Sequence, residues 1–406
     1  MADAARTPSA ARHDVVILGG GNAGIAVAAH LRRRGISDVA IVEPSRTHTY
    51  RPLLSYVGGG EASIAVAQRS QAAVTPSGVT WIRRSVVEIV PGTGDDEHTV
   101  VCDDGRRVRC RDLVVATGLV PDHDELPGVT AALTTPGVVS NYLDAATRTW
   151  TGIRTLGRTG GHAVFTLPRP PVSCSATTLK PLFLALDQWR DHHASVWTTL
   201  LVDRPTLTGV DDLDRTIRRA LDDRGVRVRY DTAVVGLDPD ARRITARTST
   251  GTQDSLDYDL LHLVPPYRAG TQIADAGLAS DHAGLVDVDP ETFAHNRFPR
   301  VWSLGDCADL GTDPSGGALR KQAPVCAHNI RAARRGESPQ RYDGYTVAPV
   351  TLSRHRAILG EFDRTRALTT SLPAFLSPLR PRLLIWAFDR YALPQIYWRL
   401  ILRGLA

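Results

Sequence analysis

Lysine is almost missing from this chain of 406 residues. Of its 48 basic residues, only Lys180 and Lys321 are lysines, and the remainder are arginines. Biased codon usage accounts for the general scarcity. The two survivors point further, to positions that need a compact ammonium where a planar guanidinium cannot substitute. Cysteine is also sparse. The five residues Cys102, Cys110, Cys174, Cys307 and Cys326 lie far apart, and none falls in a CxxC or other zinc-ligand spacing. No metal is therefore expected, and the odd, scattered set excludes a secreted disulfide framework. The N-terminal "MADAARTPSAARHD" contains no apolar core of a signal peptide, and no run of ~18 apolar residues exists to span a bilayer. The net charge of +5 is mild and spread along the chain, so nucleic acid is not an expected partner. A location on the cytoplasmic side is expected. The 42% hydrophobic and 22% charged content is ordinary for a globular protein, and the length allows two or three domains.

The clearest pattern comes early. Residues 15–18 are an apolar run followed by Gly19-Gly20-Gly21-Asn22-Ala23-Gly24. A helically spaced "IAVAAHLRRRG" comes next, and then the strand-like "VAIVE" ending at Glu43. A strand, a GxGxxG turn, a helix and a second strand with a terminal acid bind a dinucleotide. The glycines (Gly19, Gly21, Gly24) allow a tight turn and close approach of a pyrophosphate to the helix N-terminus, and the acid accepts ribose hydroxyls. Two later segments select FAD. "LVVATG" is an apolar strand ending at Thr117 and Gly118, and "VWSLGDCAD" is another ending at Gly305 and Asp306. An acid at the position of Asp306 suits the ribityl and phosphate region of a flavin. The alternative for Asp306 is a turn or cap residue.

Between these segments lies an insert with the order of a second nucleotide-binding unit, beginning with "HAVFTL" and closing with "DYDLLHLVPP". Where a nicotinamide domain has its glycine turn, this chain has "PRPPVSC". Proline offers no amide to a phosphate, so NAD(P)H is not expected as a tight substrate and electrons must come from another donor. Cys174 follows those prolines and precedes an apolar helix. The helix N-terminus and Lys180 would both stabilise its thiolate. Cys307 directly follows Asp306 and is expected beside the cofactor, so the two thiols would meet in front of the flavin ring. Cys102, Cys110 and Cys326 read as structural, as do His48 and His295, the candidates for a general base.

These segments, together with "VAIVEPSRTHTYRPLLSYVGGG", "GLVDVDPETFAHNRFPRVWSLGDCADL" and "RYDGYTVAPV", resemble the sulfide:quinone oxidoreductases, in particular their mitochondrial-type branch, over nearly the whole chain. The resemblance implies an α/β architecture of two Rossmann-like, three-layer nucleotide-binding domains and a membrane-associating helical tail. Residues 12–125 and 285–345 would form a discontinuous FAD domain. Residues 126–284 would form the second domain without its glycine motif, and residues 346–406 an interface and membrane region. It implies oxidation of sulfide to a persulfide or polysulfide through the Cys174–Cys307 pair, with Lys180 nearby. A small sulfur acceptor would take the sulfane sulfur and a membrane quinone the electrons. Gly19, Gly21, Gly24, Glu43, Thr117, Gly118 and Asp306 match the FAD contacts, and Arg51 lies in a loop that passes close to the flavin. In one departure, Pro314 of "DPSGGALRKQAP" occupies the place of a family lysine, and Lys321 is the expected replacement charge.

The tail, "LPAFLSPLRPRLLIWAFDRYALPQIYWRLILRGLA" from Leu372, mixes leucine, aromatics and arginine in two helical pieces divided by Pro394. This suits a peripheral anchor on the cytoplasmic face of a membrane; the alternative is packing on the core or in a homodimer. Three rival activities remain: a flavocytochrome c-type sulfide dehydrogenase, a type II NADH:quinone oxidoreductase, which should show a second glycine turn, and a non-enzymatic flavoprotein redox sensor.

Overall fold

Residues 15–18 have no exposure at all, and their neighbours explain the unbroken apolar run. The strand Ala11–Leu18 is paired on both edges, in parallel, with Val39–Val42 and Arg107–Val115. A strand covered on both faces has no polar side to alternate with. In the computed structural model, which describes residues 11–143, 145–174, 176–280, 283–371 and 377–406, Val79–Ile82 extends this sheet at one edge. At the other, Val301–Ser303 returns to pair with residues 113–115, while the antiparallel hairpin Val86–Val90 and His98–Cys102 joins the outer half of the same strand. Helix Asn22–Arg33 packs against helix Leu319–Arg335. The last segment of the first lobe is therefore anchored to its first helix.

The insert builds a second parallel sheet in the order Val138–Val139, Leu260–His262, Gly161–Leu167, Val196–Val202, Arg227–Arg229. Helix Leu179–Asp191 covers it with Leu179, Leu182 and Phe183, all fully buried. Each such side chain contributes about 1.5–3 kcal/mol by leaving water. A three-stranded antiparallel sheet (Thr232–Asp238, Arg243–Thr248, Gln253–Asp257) flanks this unit. A C-terminal antiparallel sheet, Thr346–Ser353, Arg356–Phe362 and Leu368–Thr369, lies against helix Leu179–Asp191.

The tail departs from the expected two pieces. Leu383–Ala387 passes into a π turn, Phe388–Ala392, and on into Leu393–Arg399. Pro394 does not divide the helix. It lies in the first turn of Leu393–Arg399, where a missing N–H costs little, and the wide π turn just before it absorbs the change of pitch. Ile385, Trp386, Tyr397, Ile401 and Leu402 face inward, whereas Leu383, Leu384, Phe388, Tyr391 and Leu400 are exposed. The end of the tail sits on the first lobe, with Arg33 Nε donating to the Arg403 carbonyl at 2.8 Å. Among the described residues no helix is long and apolar enough to cross a membrane. Residues 372–376, the start of the predicted anchor, and residues 1–10, read above for a signal peptide, lie outside the described residues.

His262 shows how tightly the second sheet is closed. Its ring has no exposure, stacks on Phe165 at 5.1 Å, and accepts the Asn141 N–H at 3.2 Å. Burial drives its pKa down to about 3, so it is neutral in the fold. The unfolded chain, with an ordinary value near ~6.5, takes up the proton first. The contribution is fully present above about pH 6.5 and is lost as pH falls toward about 3. Denaturant titrations of His262→Gln should lack a component of about 1.4 kcal/mol per pH unit that the parent shows below about pH 6.

Candidate active site

Three glycines shape the first cleft, each for a different steric reason. Gly19 adopts φ +98°, and a Cβ there would stand 2.4 Å from the Ala116 carbonyl oxygen. A Cβ on Gly24 would come within 1.9 Å of the Gly19 oxygen, so the helix can start this close to the turn only without a side chain. A Cβ on Gly21 would meet nothing within 4 Å, because this residue faces the open cleft. The first turn of helix Asn22–Arg33 has no side-chain cap and no acid, which leaves its N–H groups for an anion. Glu43 at the end of its strand accepts from the N–H of Gly20 at 2.8 Å and of Ser45 at 2.7 Å. Arg51, Thr117, Gly118 and Asp306 line the same cleft as Gly19, Gly21 and Glu43. Gly24 shapes the turn from behind. Among the described residues, the Asn22 side-chain oxygen, buried at the cleft, has no hydrogen-bond partner. The open glycine face and the uncapped helix end fit the pyrophosphate of FAD, and the unused acceptor fits one of its hydroxyl groups.

The proline turn of the second lobe closes onto this cleft. Val172 is buried against Val264 and Tyr267. Ser173 Oγ donates to the Asp306 carboxylate, whose pKa burial pushes up. The Cys174 N–H donates to the Pro314 carbonyl at 3.0 Å. Cys174 itself holds φ +67°, a left-handed conformation that costs a residue with a side chain about 1–3 kcal/mol and recurs at functional sites. It stands on the partition between two spaces, lining both the nucleotide cleft and a mostly apolar cavity of about 1040 Å³ including its mouth. Lys180, Glu361, Phe388, Asp389, Leu393 and Tyr397 are among the other walls of that cavity. Burial raises the thiol pKa of Cys174, while the Ala176 amide and the Lys180 ammonium pull it down.

The expected cysteine pair is not assembled. Cys307 has no exposure, its Sγ faces the Val115 carbonyl at 3.6 Å and Ser303 Oγ at 3.7 Å, and it lines neither cavity. The preceding Asp306 faces the cleft, and the next side chain turns inward to the core of the first sheet. All five cysteines are free. Lys321 also departs from expectation as a cofactor contact. It pairs with Asp343 at 2.6 Å, is 41% exposed, and reaches neither cavity. One step along helix Leu319–Arg335 turns the side chain about 100°, and it is Arg320 that lines the apolar cavity.

Cys102, Cys110 and Cys326 are buried, with thiols made less acidic by burial. His48 is a structural link: Nδ1 bonds the Gly20 carbonyl and Nε2 the Tyr397 hydroxyl, tying the glycine turn to the tail. His295 bonds the Leu278 carbonyl, away from both cavities. The sequence reading missed Glu361, Tyr397 and Asp389. The last had a signal, since Asp389 is the sole acid in the tail from residue 372 to 406.

The family model for pyridine nucleotide-disulphide oxidoreductases matches residues 13–159 and 188–333. The mitochondrial sulfide:quinone oxidoreductase of Mus musculus is 31% identical over 97% of this chain and 87% of its own length. That of Dictyostelium discoideum is 32% identical over 96% and 86%. Among solved structures, the sulfide:quinone oxidoreductase of Aquifex aeolicus superimposes with a TM-score of 0.74 at 18% identity, covering 96% of this chain and 92% of that one. Its likeness is one of fold.

Iodoacetamide applied to the folded protein, followed by peptide mass mapping, should label Cys174 first and leave Cys307 protected until the chain unfolds. Equal labelling of the two would contradict this geometry.

Proposed function

The chain belongs to the pyridine nucleotide-disulphide oxidoreductase family and, within it, to the sulfide:quinone oxidoreductases; on that premise we propose that it oxidises sulfide to sulfane sulfur and passes two electrons, by way of FAD, to a membrane quinone. The observation that carries this is the position of Cys174. It is the one cysteine on the walls of either cavity, it stands between the nucleotide cleft and the apolar cavity, and Lys180 lies nearby.

The chemistry balances with a single cysteine. Cys–SH and H₂S give Cys–S–SH, two protons and two electrons, and an S–S bond forms as two S–H bonds break. FAD, when bound, supplies the two-electron acceptor. The quinone consumes the two electrons and two protons. A small nucleophilic acceptor, such as a thiol, then attacks the outer sulfur of the persulfide and releases the Cys174 thiolate. The Lys180 ammonium favours that thiolate against the desolvation that opposes it. Gly19, Gly21, Glu43, Arg51, Thr117, Gly118 and Asp306 would hold the cofactor, with Gly24 keeping the turn tight. The docked proline turn, whose Ser173 and Cys174 are bonded to the first lobe, agrees with a chain that takes its electrons from sulfur and not from a nicotinamide.

A lipid-soluble quinone needs an enzyme at the membrane, and the tail supports this. Leu383, Leu384 and Tyr391 are exposed on its outer face with Arg380, Arg399 and Arg403 close in sequence. Apolar side chains flanked by arginines suit the headgroup boundary. We place the protein on that surface as a peripheral protein of the cytoplasmic face, with a second copy of the chain as the rival occupant of the same patch.

Cys174→Ser should lower sulfide-dependent quinone reduction by about a hundredfold or more with FAD still bound, while Cys307→Ala should stay within a few-fold of the parent. Bleaching of the flavin by NADH but not by sulfide would overturn the reading. In flotation with anionic vesicles, Leu384→Asp/Tyr391→Asp should lose most of the bound fraction; unchanged binding would remove the tail as anchor.

A further inference from the structure

Lys180 is buried, and among the described residues its ammonium has one carboxylate partner within ion-pair range: Asp389 Oδ2, at 2.6 Å. The same oxygen accepts the Tyr56 hydroxyl at 2.7 Å, and that hydroxyl in turn meets Thr351 Oγ1 at 2.8 Å. The ammonium also lies over the Tyr56 ring, 5.3 Å from its centroid. Four separate parts of the chain converge here: helix Pro52–Gly58, helix Leu179–Asp191, strand Thr346–Ser353 and the π turn Phe388–Ala392. Asp389 itself is 3% exposed. Its neighbours Phe388 and Tyr391 face outward, so the turn that carries the carboxylate inward also carries the exposed apolar patch.

A buried ammonium is retained only where a counter-charge and hydrogen bonds replace its water. The chain uses lysine only twice, and it places the sole acid of the tail against one of the two. We propose that Asp389 is a positioning residue of the sulfur site: it seats the Lys180 ammonium at the wall shared with Cys174, and because the tail carries it, the site is complete only while the tail is docked. This rests on the reading of Cys174 as the residue that takes up sulfur. Asp389 acts on Cys174 in two ways, through the lysine it holds and as a negative charge in its own right. The other ionisable groups facing Cys174 are Asp313, Tyr142 and Tyr50, and Asp313 is already paired with Arg366 at 3.0 Å. Lys180 outweighs Asp389 at Cys174, so removing the Asp389 charge, and with it the seat of the ammonium, leaves the thiolate less favoured.

The test is the pH midpoint of Cys174 alkylation in the FAD-loaded protein, read without sulfide. Asp389→Asn should move the midpoint up by roughly one pH unit, and Asp389→Glu should return it toward the parent. Lys180→Gln should move it up. Lys180→Gln/Asp389→Asn removes both charges and leaves two amides, and its midpoint should match that of Asp389→Asn, in which the ammonium has already lost its seat. An unchanged midpoint in Asp389→Asn with FAD bound overturns the proposal. If Asp389→Asn fails to hold FAD, the double variant decides: a midpoint equal to that of the parent overturns the proposal, and one raised as in Lys180→Gln supports it. Failure of the sulfide reading itself would appear elsewhere, as sulfide turnover that survives Cys174→Ser.

Discussion

The hydrogen bonds between the proline turn and the first lobe are the constraint on which the site depends. Ser173 Oγ reaches the Asp306 carboxylate, and the Cys174 N–H reaches the Pro314 carbonyl. A nicotinamide-binding turn must stand open so that its amides point at a phosphate. This turn has prolines in their place and directs the Ser173 hydroxyl and the Cys174 N–H to the facing lobe. The result is a cysteine held in a left-handed conformation on the wall between two cavities. The same two bonds hold the partition and join the lobes, so the partition and the docking of the lobes are one feature.

The tail completes that feature from the opposite side. It binds His48 through Tyr397, covers the end of helix Asn22–Arg33, and lowers Asp389 onto Lys180. Its inward face is thus a set of specific polar contacts set among buried aromatics, and its outward face is plain apolar surface. An element with one structural face and one unpartnered face suits a protein proposed to meet a lipid-soluble partner through the same segment that walls its cavity. The energetics agree with that division. Exposed ion pairs such as Lys321 with Asp343 contribute little, whereas breaking a buried pair such as Lys180 with Asp389 leaves an uncompensated charge and costs several kcal/mol.

The GxGxxG turn and its acid were legible because steric rules act over a few residues: a φ of +98° and a 1.9 Å approach demand glycine whatever the rest of the chain does. The apolar runs of the parallel strands were legible for a similar reason. The cysteine pair was not. Adjacency to Asp306 placed Cys307 near the cleft in sequence, but neighbouring side chains at a turn point to opposite sides, and its sulfur went into the core. Lys321 misled in the same way by a single step of helix, which set Arg320 toward the cavity and Lys321 toward Asp343.

By itself, then, the sequence determined the nucleotide turn, the loss of the second one, the lone lysine beside a thiol and the amphipathic composition of the tail. All of these rest on local backbone geometry or on composition. Only the tertiary structure decided that Cys174 stands alone on the cavity wall, that Pro394 lies within a helix, and that Asp389 from the tail meets Lys180 from a helix 209 positions earlier. Those outcomes depend on which way a side chain faces once distant segments are packed, and no spacing along the chain encodes that direction.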